Sequence, residues 1–347
     1  MKKLLFIYNN PLDGSYGGSQ RTRQALDGLR QNFEVLEYSC IKKANRIITL
    51  LRNILGYSGN LSFIDCKKIL NQLDKSNIDC VFFDVSLHGR LVHQIKRHYP
   101  NIKVIVNYHN CEAQYFSDMF KTKGVLYYPI YNAAIKNENL SKIYADYHIL
   151  ITEEDRVQLG INNNFQIIPA TLKDSYSHLI EIETNDSYLL FVGAAVYANI
   201  EGAKYIIEKL APTSDKKFLI VGKGMKRTFP GDYKNVEIRD FVPSLATIYN
   251  NASAFICPLF YGSGAKIKVA EALMYGKKII GSPLSFFGYN LENANYTVCS
   301  SESEFIEEIK KVDMNMHFYK ENRNIFLSKY DSLNNSRYYE LLAKALY

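Results

Sequence analysis

The chain reads as an α/β protein of two Rossmann-like parallel-sheet domains, and three observations lead there. Short apolar runs alternate with longer polar or amphipathic stretches, the alternation breaks and restarts near residue 188, and both halves open on the same order of strand, glycine-bearing loop and helix. In the first half the runs are Lys3 to Tyr8, Glu34 to Tyr38, Cys80 to Val85, Lys103 to Asn107 and His148 to Thr152, each spaced from the next by enough residues for a helix. In the second half they are Leu189 to Gly193, Lys217 to Gly222, Val236 to Arg239, Ala254 to Leu259, Lys278 to Gly281 and Tyr296 to Cys299. Between the series, residues 162–187 are rich in Asn, Ser and Asp and carry Pro169, which predicts a linker. The segments LLFIYNNPLDGSYGGSQRTRQALDGL and LLFVGAAVYANIEGAKYIIEKL open the two halves alike. Two such units facing each other would leave a cleft at the carboxyl ends of both sheets, where open α/β sheets place ligands. The expected division is 1–170, 171–317 and a helical 318–347 that packs back on the first domain.

At 347 residues, 47% hydrophobic and 22% charged, the chain has material for two cores without a covalent staple. The six cysteines, Cys40, Cys66, Cys80, Cys111, Cys257 and Cys299, show no C-x-x-C pair or regular spacing. That pattern argues against a disulfide framework or a zinc site and suits reduced thiols in the cytoplasm. Met1 to Tyr8 runs straight into a strand and no run of 18 apolar residues occurs, so neither a cleavable leader nor a membrane span is expected. A net charge of +7 without a basic block does not call for nucleic acid, and none is expected as a partner.

The most informative stretch is CPLFYGSGAKIKVAEALMYGKKIIG, from Cys257 to Gly281. An apolar strand ends at Pro258, a loop with Gly262, Ser263 and Gly264 follows, and a helix opens with Lys266, Lys268 and Glu271 in its first turns. Glycines let a backbone approach a ligand, free N–H groups and the helix dipole favour phosphate, and the lysines add positive charge. A carboxylate beside a phosphate is repulsive unless it accepts hydrogen bonds, and a ribose diol supplies two. Phosphate with ribose means a nucleotide. The plain alternatives are a solvated helix carboxylate for Glu271 and exposed lysines for Lys266 and Lys268.

The pieces FVGAAVYANIEGAKYIIEKLAP, FLIVGKGM, NVEIRDFVPSLATIYNNASAFICPLFYGSGAKIKVAEALMYGKKIIGSP and FFGY, in this order and spacing, resemble the GT-B glycosyltransferases, specifically the retaining family 4, or group 1, type. In the first half PLDGSYGGSQR and NYHNCEAQYF are similar to that family's acceptor-side glycine loop and His-Asn-x-Glu element. The resemblance implies transfer of a sugar from a nucleotide diphosphate sugar, with the nucleotide on the second domain and the acceptor on the first. It implies that Glu271 grips the ribose, that Gly264, Lys266 and Lys268 meet the diphosphate, that Val242 lies near the base and that His109 reaches towards the transferred sugar. Two departures stand out. Many members carry a glutamate eight residues before position 271, where this chain has Ser263, and many carry Arg and Lys after the strand ending at Gly193, where it has Ala194, Ala195 and Asn199.

Cleaving the sugar–diphosphate bond puts negative charge on phosphate, which Lys266, Lys268 and the helix start behind Gly264 could stabilise more in the transition state than before it. The sequence contains no D-x-D, so the expectation is catalysis without a metal and without a cofactor. His109 and Lys266 are the expected catalytic residues, and Glu271, Lys268, Gly264, Ser263, Val242, Gly17 and Gly18 the expected substrate contacts. His109 could equally be a satisfied core histidine, Gly17 and Gly18 a simple turn, and Asn110 and Glu112 helix-start chemistry. His88, His93 and His98 show no metal-ligand spacing.

One further segment, IKKANRIITLLRNILGY, places Ile41, Ala44, Ile47, Ile48, Leu51, Ile54 and Leu55 on one stripe, with Lys42, Lys43, Arg46 and Arg52 away from it. Two readings stand: a helix lying on an anionic membrane near a lipid-linked acceptor, or a core-facing helix with a solvated basic side. The functional expectation is a glycosyltransferase of cell-surface polysaccharide or glycolipid synthesis, acting on a glycan or lipid-linked acceptor, cytoplasmic or peripheral on the inner face of the plasma membrane. The rivals are a nucleotide-sugar epimerase on the same fold and a non-catalytic paralogue that binds nucleotide sugars or supports an active partner.

Overall fold

A computed structural model describes residues 1–13, 17–41, 45–177, 187–262 and 264–347. Contacts divide the chain into two compact units, Met1–Ala170 with Leu333–Tyr347, and Thr171–Ser332. Each unit holds one six-stranded sheet in which every pairing is parallel.

The first sheet comprises β1 (Lys2–Tyr8), β2 (Phe33–Ser39), β3 (Cys80–Phe83), β4 (Lys103–Asn107), β5 (Tyr147–Leu150) and β6 (Phe165–Ile167), in the order β2-β1-β3-β4-β5-β6. Its helices are α1 (Gly17–Arg30), α2 (Arg46–Ile54), α3 (Phe63–Lys75), α4 (Gly89–His98), α5 (Glu112–Lys123), α6 (Tyr128–Tyr144) and α7 (Glu153–Leu159). Successive residues of a strand face opposite ways, and β1 uses both faces: Leu5 and Ile7 enter one apolar cluster, Leu4, Phe6 and Tyr8 the other. Burial on both faces explains why these strands read as continuous apolar runs.

The sixth strand corrects the expected linker. Phe165–Ile167 pairs with His148–Leu150 at the edge of the sheet. Three half-buried residues among asparagines carry too little apolar pattern to announce a strand. The return of the chain is also displaced from the expected 318. Phe318 and Tyr319 lie against Gly276, Arg323 pairs with Asp174 and donates to the Met274 carbonyl at 3.0 Å, and Phe326 is fully buried in the second core. Only from Leu333 does the chain belong to the first unit. There its last helix packs on α1, with Tyr339 filling the space that a side chain at Gly28 would need.

The second sheet comprises β7 (Tyr188–Val192), β8 (Phe218–Val221), β9 (Val236–Arg239), β10 (Ala252–Cys257), β11 (Lys278–Gly281) and β12 (Tyr296–Val298), in the order β12-β11-β10-β7-β8-β9. The accompanying helices are α8 (Tyr197–Tyr205), α9 (Met225–Thr228), α10 (Leu245–Asn250), α11 (Ile267–Met274), α12 (Glu302–Lys311) and α13 (Lys320–Ile325), and α14 (Asn335–Leu346) is the helix that rejoins the first unit. Strand order reverses direction between β1 and β3 in the first sheet and between β7 and β10 in the second. At such switch points the loops leaving the two neighbouring strands diverge to opposite faces and leave a crevice.

The stripe on α2 faces outward. Ile47, Ile48, Leu51, Ile54 and Leu55 are exposed, Ile47 at 66%, while Asn53 is buried. The core-facing reading of this helix is thereby corrected, because its packing side is polar. Lys42, Lys43 and Ala44 lie outside the described residues, as does Ser263.

Candidate active site

In the second unit the switch-point loops follow β7 and β10. The loop after β10 carries Gly262 at φ +100° and Gly264 at φ +72°, left-handed values that glycine adopts without a Cβ clash. Lys266 is the N-cap of α11, so the helix starts one residue later than a helix opening on Lys266 would. The Lys266 ammonium donates to the Gly264 carbonyl at 2.6 Å, and its own carbonyl accepts from the Tyr289 hydroxyl at 2.8 Å. Lys268 reaches from α11 to the loop after β7. Its Nζ donates to Asn199 Oδ1 at 2.6 Å and stands 4.6 Å above the centre of the Phe191 ring. A Cβ at Gly193 would lie 2.8 Å from that ammonium and 2.7 Å from Asn199 Cγ, so the close approach requires glycine. Burial lowers the Lys268 pKa, opposed by the Cys257 thiol and Glu271, and both lysines act on that same thiol.

Glu271 stands one turn further along α11, half-buried. Its Oε2 accepts from the Tyr249 hydroxyl at 3.0 Å, and Tyr249 is wholly buried and stacked on Tyr275 with ring centres 4.9 Å apart. Burial raises the Glu271 pKa, while the Tyr249 hydrogen bond and Lys268 lower it. Gly264, Lys266, Lys268 and Glu271 thus gather at one switch point, with backbone of positive φ, the Lys266 ammonium on the glycine loop and Lys268 acting on the Glu271 carboxylate. Such a set suits a diphosphate beside a diol. Val242 lies apart from them in sequence, partly buried against the second core. Among the described residues, no three His, Cys, Asp or Glu side chains gather in a way that could hold a metal ion.

The first unit holds the other predicted residues. Gly17 and Gly18 open α1, and His109 follows β4. The register that pairs Phe83 with Val106 sets Asp84 beside Asn107 at the ends of β3 and β4. Asp84 is fully buried: its Oδ1 accepts from His109 Nε2 at 3.1 Å and from Asn107 Nδ2 at 3.1 Å, and its Oδ2 accepts the Thr22 hydroxyl. Thr22 sits one turn into α1, accepts from Asn10 at 3.0 Å and lies 3.0 Å from the Gly18 carbonyl, so the glycine loop and His109 share one hydrogen-bonded cluster. His109 and Gly18 also line a cavity of ≈ 570 Å³ together with Asn9, Asn10, Asn110 and Glu112. Thr49, Arg52 and Asn53, the inward side of α2, complete one wall of it.

Glu112 begins α5, yet the free N–H groups of that helix start go elsewhere: those of Glu112 and Ala113 donate to the Glu138 carboxylate at 2.7 and 3.3 Å. Burial, with Glu138 as neighbour, pushes the Glu112 carboxyl up to about 7. Sequence reasoning missed Asp84, Thr22 and Asn107, and also Tyr249 as the partner of Glu271. The available signal was an aspartate directly after the apolar run CVFF, at the ligand-facing end of a strand.

Residues 186–313 match the family described as Glycosyl transferases group 1. No curated protein matches the chain in sequence. Among solved structures it is similar to the apo form of the lipopolysaccharide outer core galactosyltransferase WaaB, at TM-score 0.67 and 13% identity over 99% of each chain. It is similar to a glycosyltransferase from Rickettsia africae ESF-5 at TM-score 0.67 and 11% identity over 99% of this chain and 98% of that one. It is similar as well to Anabaena HepE in complex with UDP and glucose, at TM-score 0.68 and 11% identity over 100% of this chain and 99% of that one. The family match is confined to residues 186–313, and the two parallel-sheet units have the GT-B fold of these glycosyltransferase structures.

Proposed function

We propose that the protein is a retaining glycosyltransferase that moves a sugar from a nucleotide diphosphate sugar to a glycan or lipid-linked acceptor of cell-surface polysaccharide synthesis. The observation that carries the reading is the meeting of Gly264, Lys266, Lys268 and Glu271 at the switch point of the second sheet. The UDP and UDP-glucose held by the similar HepE structures support a nucleotide sugar as donor.

In this reading the Glu271 carboxylate accepts both ribose hydroxyls, and the N–H groups and lysines at the start of α11 hold the diphosphate. As the anomeric C–O bond breaks, charge grows on the phosphate oxygens, and preformed ammonium groups stabilise it without reorganising. The leaving phosphate takes the acceptor's hydroxyl proton while the new bond forms on the same face of the sugar. The two lysines carry this charge in place of a metal ion, and no cofactor takes part. His109 and the glycine loop serve the sugar and acceptor on the first unit.

The outward apolar face of α2 supports a peripheral membrane location. From Cys40 to Ile64 the chain has no Asp or Glu but carries Lys42, Lys43, Arg46 and Arg52, a composition that favours an anionic surface. The same helix turns Thr49, Arg52 and Asn53 to the cavity, so a lipid-linked acceptor could be met at the bilayer.

Incubation with a panel of UDP and GDP sugars tests the proposal. Release of the nucleoside diphosphate, raised by the right acceptor, is the expected result. Binding without release would favour the non-catalytic paralogue, a reading that the serine at 263 keeps in view.

A further inference from the structure

The second sheet ends on β9, and no strand lies beyond it among the described residues. We propose that this edge is the interface of a two-fold dimer, in which β9 pairs antiparallel with β9 of a second copy of the chain, centred on Ile238. The glycosyl-transfer reading can stand or fall without it.

The backbone sets the centre of the pairing. The N–H of Phe218 donates to the Asn235 carbonyl at 2.8 Å and that of Gly222 to the Arg239 carbonyl at 2.9 Å, so the alternate positions 235, 237 and 239 face β8. Ile238 therefore turns its N–H and its carbonyl away from the sheet. The Val236 N–H is taken by the Tyr233 carbonyl at 3.2 Å, a turn that closes the edge on that side and leaves Ile238 in the open stretch. Two antiparallel copies that meet at Ile238 exchange both hydrogen bonds there, which is how a bare edge gains most from a second strand.

The side chains fit the same register. Pairing at Ile238 sets each Glu237 opposite Arg239 of the second copy, in the closer, non-hydrogen-bonded kind of cross-strand pair. Within one copy the two pair at 2.6 Å and stay exposed, Glu237 at 60% and Arg239 at 42%, so the dimer alternates four charges across its axis. The other edge strands lack this pattern. β2 carries the acidic Glu34 and Glu37, whose partners Lys3 and Arg30 belong to the same unit, and β6 and β12 carry no charge. The register also brings Phe241, 80% exposed, to the Asn235 end of the second copy's strand. There a groove of ≈ 500 Å³ along β9 offers Phe229, Tyr233 and Val236, and covering an exposed aromatic adds the apolar gain that so short a strand cannot draw from hydrogen bonds.

Sedimentation and light scattering of the whole chain test the interface. The wild type should reach twice the chain mass as its concentration rises. Glu237→Arg, which sets arginine against arginine in both cross-strand pairs, should weaken the dimer about tenfold or more. Adding Arg239→Glu restores opposite charges in reversed order and should return the dimer. A wild type that stays monomeric up to its solubility limit overturns the proposal, the short charged strand then guarding its edge. So does a dimer indifferent to Glu237→Arg, and so does a folded double variant that stays monomeric. Where a variant does not fold, deuterium exchange in the wild type decides: amides of 236–240 should exchange more slowly as concentration rises, and exchange independent of concentration overturns the interface.

Discussion

Replacing Glu271 by alanine separates two roles of one carboxylate, its contact with Tyr249 and its proposed hold on the ribose. Inside the protein it is the acceptor for the hydroxyl of Tyr249, a wholly buried side chain, at 3.0 Å. Its removal leaves that hydroxyl unpaired, a loss of about 1–3 kcal/mol of stability. Because burial raises the Glu271 pKa, the charged form is itself disfavoured there, and its loss returns part of that penalty. Urea unfolding should therefore show a fall at the low end of the range, and Tyr249→Phe added to Glu271→Ala should restore most of it. Towards the nucleotide the carboxylate would accept from the ribose diol. A hydrogen bond to a charged group contributes about 1.5–3 kcal/mol, so calorimetric affinity for UDP or GDP should drop roughly ten- to 150-fold. The double variant should recover stability and not affinity. Affinity within twofold of wild type in Glu271→Ala would refute the ribose assignment, whatever the stability data show.

Three further outcomes follow from other parts of the molecule. Gly193→Ala brings a Cβ within 2.8 Å of the Lys268 ammonium and should break its bond to Asn199. Nucleotide affinity should fall well beyond the change in melting temperature, and an unaltered titration would remove Lys268 from the diphosphate. Glu112→Gln addresses pH. The wild-type carboxyl is raised to about 7 from its ordinary 4.5, so the folded state binds the proton more tightly and stability falls as pH climbs from 4.5 through 7. The variant should lose that decline and be the more stable protein above pH 7, and identical unfolding profiles across this window would count against the burial argument. On α2, aspartate at Ile47, Leu51 and Ile54 should abolish flotation with vesicles rich in phosphatidylglycerol while leaving the melting temperature nearly unchanged, since these side chains are exposed. Flotation that persists would end the membrane reading.

What could be read from the sequence divides along a physical line. Strands such as Tyr188–Val192 or Cys80–Phe83 announce themselves because burial on both faces demands unbroken apolar runs. The β10 loop and α11 were legible for a related reason: Gly264, Lys266, Lys268 and Glu271 lie within eight residues, so local geometry alone brings them together. Contacts made by sheet order were not legible. Asp84 and His109 are 25 residues apart and meet only because β3 and β4 are neighbours in register, while Asn199 reaches Lys268 only because β7 adjoins β10. On α2 the periodicity marked an apolar stripe correctly but carried no information about which side the protein would cover. The strand Phe165–Ile167 escaped because three half-buried residues at a sheet edge need little hydrophobicity to pair.

The central claim is that the crevice between the β7 and β10 loops grips a nucleoside diphosphate. A crystal soaked with UDP or GDP tests it most directly. The account calls for the diphosphate against the N–H groups and ammonium ions of Gly264 to Lys268, with both ribose hydroxyls within hydrogen-bond reach of Glu271. A nucleotide bound elsewhere, or with its ribose turned away from that carboxylate, would contradict it.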